Sequence, residues 1–254
     1  MLRHHICITI EPINTIEKRI KRVVKTHNSL VFNNVQKVKC VKKLLYIIAN
    51  SKAEEQSSSR TVSRNLVNAI LEKIEDVELE ELNLYEEHIP QLKGCYFESR
   101  SAIVNSEARS KLTSEEQKEI AKIEQLCDQF KASDIYVLAA PMWSLSFPAP
   151  VKEYIDCIIQ AGKTIAFENN KPYGLMDDKP RVFIYVQSSG ANVPWLLKPA
   201  LSKGLNYVHD IMKFIGINTF YELLVDGTGT TEGERQDAIE TATGKIPQLV
   251  EKFL

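Results

Sequence analysis

Three short stretches of this chain carry residue types that suit ligand chemistry. Ser57-Ser58-Ser59 sets three hydroxyls at the head of a helical stripe. Hydroxyls beside the free N–H groups of a helix start make an anion site. Their alternative reading is an N-cap with a flexible approach. Ala139-Ala140-Pro141-Met142-Trp143-Ser144-Leu145-Ser146-Phe147-Pro148-Ala149-Pro150 is rich in aromatic, small and proline residues. It suits a flat, mostly apolar ring, and it also reads as a proline-rich connection with a core tryptophan. Gln187-Ser188-Ser189-Gly190-Ala191 is a third turn of small residues. A charge at an exposed helix start gains only ~0.3–1 kcal/mol, whereas nanomolar binding needs about 12 kcal/mol. An anion at the serines would anchor a ligand whose affinity comes mostly from ring contacts in the other two loops.

Other chemistries find little support. There is no GxSxG nucleophile turn. The histidines are His4, His5, His27, His88 and His209, and neither an HxxxH pair nor a carboxylate cluster points to a metal. His88 lies in a long loop and is a candidate to line the site, while His209 reads as structural. Gly227-Thr228-Gly229-Thr230-Thr231-Glu232-Gly233 is one residue too long for GxGxxG and precedes only one helix. It reads as a turn with a capping threonine. Gly162-Lys163-Thr164 follows a helix rather than a strand and has Cys157 where a P-loop needs glycine.

The elements that must position these loops follow a regular alternation. Residues 44–49 form an apolar run, as expected of a central parallel strand. Val62, Leu66, Ile70 and Ile74 form the buried stripe of the helix behind the serines. Residues 77–84 alternate apolar with acidic, like an edge or half-buried strand. Residues 85–113 show no clear period and are expected to form a long functional loop. Thr113 or Ser114, with Glu116 or Gln117, caps a helix to Phe130. Residues 135–140 are the next strand, followed by a helix on Val151, Ile155, Ile158 and Ile159. Ile165 and Phe167 before Asn169-Asn170 suggest a small hairpin within 163–179. Strands at 182–186 and 220–225 flank a helix ending at Gly216. A last helix is weakened by Gly244 and Pro247. The pattern predicts a five-stranded parallel sheet in the order 2-1-3-4-5, with helices on both faces. The loops after its first, third and fourth strands then converge at one edge. They are residues 51–59, 141–148 and 187–191.

The composition is ordinary for a soluble globular protein, at 44% hydrophobic and 26% charged over 254 residues. No run approaches the ~18 apolar residues of a membrane span. A net charge of −1 argues against a general nucleic-acid binder. Residues 1–40 stand apart, with a net of +6 against −7 for the remainder. They are read as a basic extension, disordered or dispensable, before a domain spanning 41–254. Ile16, Ile20, Val23 and Val24 admit a short amphipathic helix there, and a targeting role stays open. Val41 is compatible with an alternative start. No secretory signal is visible, and five cysteines without CxxC spacing indicate neither disulfides nor zinc. Reduced cysteines fit the cytoplasm.

With the loops placed, the chain resembles the FMN-dependent NADH-azoreductases among the flavodoxin-like NAD(P)H:quinone oxidoreductases. The resemblance runs from about Lys42 to Phe253. Ala140-Pro141-Met142-Trp143-Ser144-Leu145 carries it, with Pro148-Ala149-Pro150-Val151-Lys152-Glu153-Tyr154-Ile155-Asp156. Ala161-Gly162-Lys163-Thr164-Ile165-Ala166-Phe167 and Gly174-Leu175 continue it. It implies a homodimer with FMN at the carboxyl edge of the sheet. Ser51, Ser57, Ser58 and Ser59 fall where the family holds the FMN phosphate. Pro141, Met142, Trp143, Ser144 and Leu145 fall along the isoalloxazine ring, and Ser188, Ser189, Gly190 and Ala191 against the same ring. Ser189 replaces a position often basic, and Ala191 one often glycine. Residues 1–40 have no counterpart in the family core.

The resemblance also implies a ping-pong reaction in which FMN is reduced by NADH or NADPH and reoxidised by a quinone or azo compound. The cofactor would carry the chemistry, so no protein residue is assigned a catalytic role. Tyr96, Phe97, Trp143, Phe147 and Phe167 are candidates for an aromatic substrate slot, with core packing as the alternative for each. Two other functions compete. One is a flavodoxin-type electron carrier, from which the near-neutral charge and the 85–113 and 163–179 insertions depart. The other is a phosphodiesterase acting on acyl carrier protein, for which nucleophile and metal cluster are missing.

Overall fold

The computed structural model describes residues 41–191 and 201–253. The expected basic extension, residues 1–40, lies outside them. Strand β1 (Lys42–Ile48) leads to helix α1 (Ser58–Lys73) and strand β2 (Val77–Asn83). Then come β3 (Phe97–Ser99), β4 (Ala102–Ile103), α2 (Ser106–Ser110) and α3 (Ser114–Ala132). β5 (Ile135–Pro141), α4 (Ala149–Ile158), β6 (Ile165–Glu168), β7 (Lys171–Gly174) and β8 (Val182–Ser189) follow. The chain closes with α5 (Lys203–Ile215), β9 (Thr219–Asp226), α6 (Glu232–Thr243) and α7 (Ile246–Val250).

The main sheet runs β2-β1-β5-β8-β9, all parallel, which is the order 2-1-3-4-5 counted along its own strands. Successive residues of each strand enter opposite cores, as the two-residue period of a strand requires. Leu45, Ile47, Tyr136, Leu138, Phe183 and Tyr185 face α3, α4 and α5. Leu44, Tyr46, Ile48, Val137, Ile184 and Val186 face α1, α6 and α7. Burial on both faces explains why the central strands read as unbroken apolar runs.

Local signals account for the helix ends. Thr113 caps α3 and Thr231 caps α6, each through a reciprocal box with the glutamate three residues on. Gly216 ends α5 at φ 109°, a left-handed conformation that favours glycine. The last helical stretch breaks into α6 and α7 around Gly244, and Pro247 sits in the first turn of α7. The hairpin expected in 163–179 is the β6–β7 pair, turning on Asn169 and Asn170 with positive φ.

The stretch 85–113, expected to form a long loop, contains short regular elements. It holds a short 3-10 turn at Gly94–Tyr96, the two-stranded β3–β4 pair, and α2. Elements of two to five residues are too short to show a period. Among the described residues, no helix is long and apolar enough to cross a membrane.

Candidate functional site

The parallel register brings the carboxyl ends of the strands level. Ile48 lies opposite Ala139, Pro141 opposite Ser188, and Ser189 opposite Asp226. The loops beyond them enclose a cleft of about 410 Å³, within the ~300–1,000 Å³ typical of small-molecule sites. Four loops line it, where three were expected.

The first loop joins β1 to α1. Ser57 is the N-cap of α1, its hydroxyl accepting from the Arg60 N–H. Asn50, buried at the end of β1, donates from Nδ2 to the same hydroxyl at 2.7 Å. The Thr61 N–H bonds the Ser57 carbonyl at 2.9 Å. The N–H groups of Ser58 and Ser59 are left without intrahelical acceptors, as at any helix start. Ser57 and Ser58 line the cleft, together with Asn50, Lys52 and Gln56. Ser51 is exposed and does not line it. Ser59 is wholly buried, its hydroxyl 3.3 Å from that of Ser57.

Pro141, Met142 and Trp143 line the cleft from the loop after β5. The Met142 N–H bonds the Ser188 carbonyl at 2.7 Å, fixing this loop to the next. Trp143 and Ser146 exchange backbone hydrogen bonds of 3.2 and 2.8 Å around a two-residue turn. Its central residues, Ser144 and Leu145, have φ of 50° and 62°. Positive φ at both central positions is the type I′ arrangement, and it strains a leucine. Ser144 and Leu145 do not line the cleft; they shape the turn that holds Trp143 at its mouth, 46% exposed.

Ser188, Ser189 and Gly190 form the next wall. The Ser189 hydroxyl donates to the Ala191 carbonyl at 2.7 Å, and Ala191 itself is exposed outside the cleft. Among the described residues, none beyond its chain neighbours has an atom within 4 Å of where a Cβ on Gly190 would stand.

The fourth wall was not anticipated. Thr228, Gly229, Thr230, Thr231, Glu232 and Arg235 line the cleft from the loop after β9 and the start of α6. Thr231 caps α6 as the sequence indicated. The same loop also braces its neighbour, through Thr228 N–H to Ser189 O and Gly229 N–H to Gly190 O, each 3.0 Å. Arg235 donates to Glu232 through Nε at 2.9 Å and Nη2 at 2.7 Å, which holds the Glu232 carboxyl below the usual carboxylate range.

The expected aromatic slot is not assembled at this cleft. Tyr96 is fully buried in the core, taken there by the turn at Gly94–Tyr96. Phe97 packs half-buried against the same core. Phe147 meets Tyr207, with ring centroids 5.7 Å apart. Phe167 is drawn out on the β6–β7 hairpin, 5.8 Å from the Arg100 guanidinium. His88 pairs with Glu119 at 2.9 Å and is also off the cleft. Burial pushes the Cys127 and Cys157 thiols up to about 12, so neither is a ready nucleophile. Among the described residues no cluster suits a metal ion.

The flavodoxin-like fold family matches residues 42–250. Over 213 residues the chain is 68% identical to an FMN-dependent NADH:quinone oxidoreductase of Ruminiclostridium cellulolyticum, covering 84% of this chain and 100% of that one. The chain belongs to the flavodoxin-like FMN-dependent NADH:quinone oxidoreductase family. A second member of that family, from Clostridium botulinum, is 57% identical over 83% of this chain and 99% of its own. An FMN-dependent NADH-azoreductase of Bacillus anthracis, solved in complex with FMN, shares the fold with a TM-score of 0.68. It is 23% identical, covering 82% of this chain and 99% of that one.

Proposed function

We infer that this protein is an FMN-dependent oxidoreductase that transfers two electrons from NADH or NADPH to quinones and aromatic azo compounds. One observation carries the reading. The start of α1, where the Ser58 and Ser59 N–H groups lack intrahelical acceptors, the exposed Trp143 and the turn at Gly190 border a single cleft at the carboxyl edge of the sheet. That is where open α/β sheets bind ligands.

The residues present fit FMN. The α1 start, with Ser57, Ser58 and Lys52, would hold the phosphate. Pro141, Met142 and Trp143 would lie along the ring, with Ser188, Ser189 and Gly190 against its other side. Ser59, Ser144, Leu145 and Ala191 would act through these residues, by holding Ser57, shaping the Trp143 turn and anchoring the Ser189 hydroxyl. When bound, FMN supplies the two-electron redox chemistry. The chain's own part is to hold the ring, present one face to donor and acceptor in turn, and keep water from it. Alternating use of one face makes the kinetics ping-pong. Glu232 is tied to Arg235, so the acid on the cleft wall is not free to move a proton.

The working state is a homodimer in the cytoplasm, a compartment supported by the unpaired Cys95, Cys127 and Cys157. The test is direct. Purified protein should be yellow, bleach with NADH without oxygen, and recover its colour on adding a quinone. A colourless protein that gains no flavin on incubation with FMN would refute the reading.

A further inference from the structure

The turn between β1 and α1 brings Lys52 and Gln56 to the cleft, yet none of residues 51–56 is buried. Its short 3-10 turn, Glu54–Gln56, has no side-chain cap at Ala53. Side-chain burial therefore does not place this wall. Polar tethers from α1 do. Arg60 donates from Nη1 to the Lys52 carbonyl at 2.6 Å. The Thr61 hydroxyl donates to the Glu54 carbonyl at 2.8 Å. Arg64 donates from Nε to the Glu54 carboxylate at 3.1 Å. Arg60 and Arg64 stand one helical turn apart, so both reach the loop from one face of α1.

Arg64 is itself clamped. Its Nη1 and Nη2 donate to the two carboxylate oxygens of Glu81 at 2.6 and 2.8 Å. Its guanidinium carbon stands 4.8 Å from the centroid of the Tyr46 ring. Tyr46 on β1 and Glu81 on β2 are partners in the parallel register. The sheet thus fixes the guanidinium, and the guanidinium fixes Glu54. A two-point arginine–carboxylate pair adds geometric specificity as well as energy. The charge of Glu54 points the same way. A carboxylate three residues before a helix start that suits an anion repels that anion. The tether to Arg64 accounts for its place there.

We propose that Arg64 is a positioning residue: through Glu54 it holds the turn that presents Lys52 and Gln56 to the phosphate side of the bound flavin nucleotide, and Arg60 braces the same turn at Lys52. The assignment rests on the FMN reading above. The tether works by pre-organisation. Ordering exposed backbone costs conformational entropy, and a turn already held in place loses less of the binding energy to it.

Apoprotein of the full chain is titrated with FMN and with riboflavin, which has the same ring and no phosphate. Glu54→Ala separates the two effects of the carboxylate by sign. Were Glu54 only a charge, its removal would tighten FMN. As a tether, its removal should weaken FMN about fivefold and leave riboflavin unchanged. Arg64→Ala should weaken FMN at least as much. The double variant should bind FMN no more weakly than Arg64→Ala alone, because both changes cut one tether. Tighter or unchanged FMN binding in Glu54→Ala, equal losses for the two flavins, or additive losses in the double variant would each overturn the assignment. Circular dichroism checks that the variants are folded, and should Arg64→Ala not fold, Glu54→Ala decides by the sign of its effect. Wild-type protein that binds neither flavin would remove the FMN reading itself. Wild-type binding with unresponsive variants removes only the role of Arg64.

Discussion

The Asn50 amide donates to the Ser57 hydroxyl across 2.7 Å, with both side chains buried. The bond ties the end of β1 to the cap of α1 and so sets the helix start that borders the cleft. The Asn50 Oδ1 accepts from the Lys52 N–H at 3.0 Å, which shapes the turn between them. Asn50→Ala removes both bonds, while Ser57 keeps the Arg60 N–H as a partner. We expect a stability loss of about 1–2 kcal/mol, from two hydrogen bonds at about 1 kcal/mol or less each. Flavin retention through gel filtration should fall further than stability does. A variant with wild-type flavin content would show that the β1–α1 turn is not part of the site.

Ser58→Glu should abolish FMN retention while the fold survives. The new carboxylate would repel the phosphate and compete for the helix-start N–H groups. A carboxylate in the first turn suits a helix, so α1 itself should tolerate it. Bound flavin per protomer, measured alongside the circular dichroism spectrum, decides. Full occupancy would place the phosphate elsewhere.

The five main strands were legible because each obeys a simple burial rule. Leu44 to Ile48 are buried on both faces and read as an unbroken apolar run, whereas Val77–Asn83 at the sheet edge alternates. Thr113 and Thr231 announced their helices by local side-chain chemistry. The cleft was legible only where one loop could be read by itself. Asn50 opens a polar turn, Asn50-Ser51-Lys52, after a strand, and its bond to Ser57 depends on how the chain turns back. The place of Glu232 and Arg235 on the wall depends on α6 packing beside α1, well over a hundred residues away in sequence. No local pattern encodes that neighbour. Tyr96 was drawn toward the substrate slot by residue type alone, and the turn that buries it spans three residues.

Deleting residues 1–40 should leave FMN content and turnover nearly unchanged. The composition breaks at Val41, and the first sheet strand begins at Lys42. The Ruminiclostridium relative aligns along its full length with only 213 residues of this chain. Loss of flavin or solubility in the truncated protein would show that the segment belongs to the working fold.

Gly204→Ala should displace the Trp143 turn. A Cβ at Gly204 would stand 2.7 and 2.8 Å from backbone atoms of Ser146, and the Gly204 N–H bonds the Leu145 carbonyl at 3.2 Å. Backbone cannot rotate aside as a long side chain can. The expected cost is on the order of 1–3 kcal/mol, as for other overpacked sites. Riboflavin affinity should fall, because the ring side of the cleft moves, while the phosphate side at Ser57 stays in place. A thermal midpoint and riboflavin affinity equal to wild type would show that α5 does not support this turn.

Trp143 should contact the flavin ring or a substrate stacked on it. The indole is 46% exposed at the mouth of the cleft, held there by a turn whose two central residues have positive φ. A large exposed apolar face at a ligand site costs less once a planar ring covers it. Binding FMN to apoprotein should therefore quench a large share of the tryptophan fluorescence. The chain's other tryptophan, Trp195, lies outside the described residues, so the titration must compare Trp143→Phe with Trp195→Phe. Quenching should vanish in Trp143→Phe and persist in Trp195→Phe; the reverse pattern would remove Trp143 from the ring. Trp143→Phe should still keep its flavin, since an aromatic face remains and the phosphate contacts are untouched. Its acceptor kinetics should change, because the smaller ring without an indole N–H alters the surface over which a quinone or azo compound slides into place.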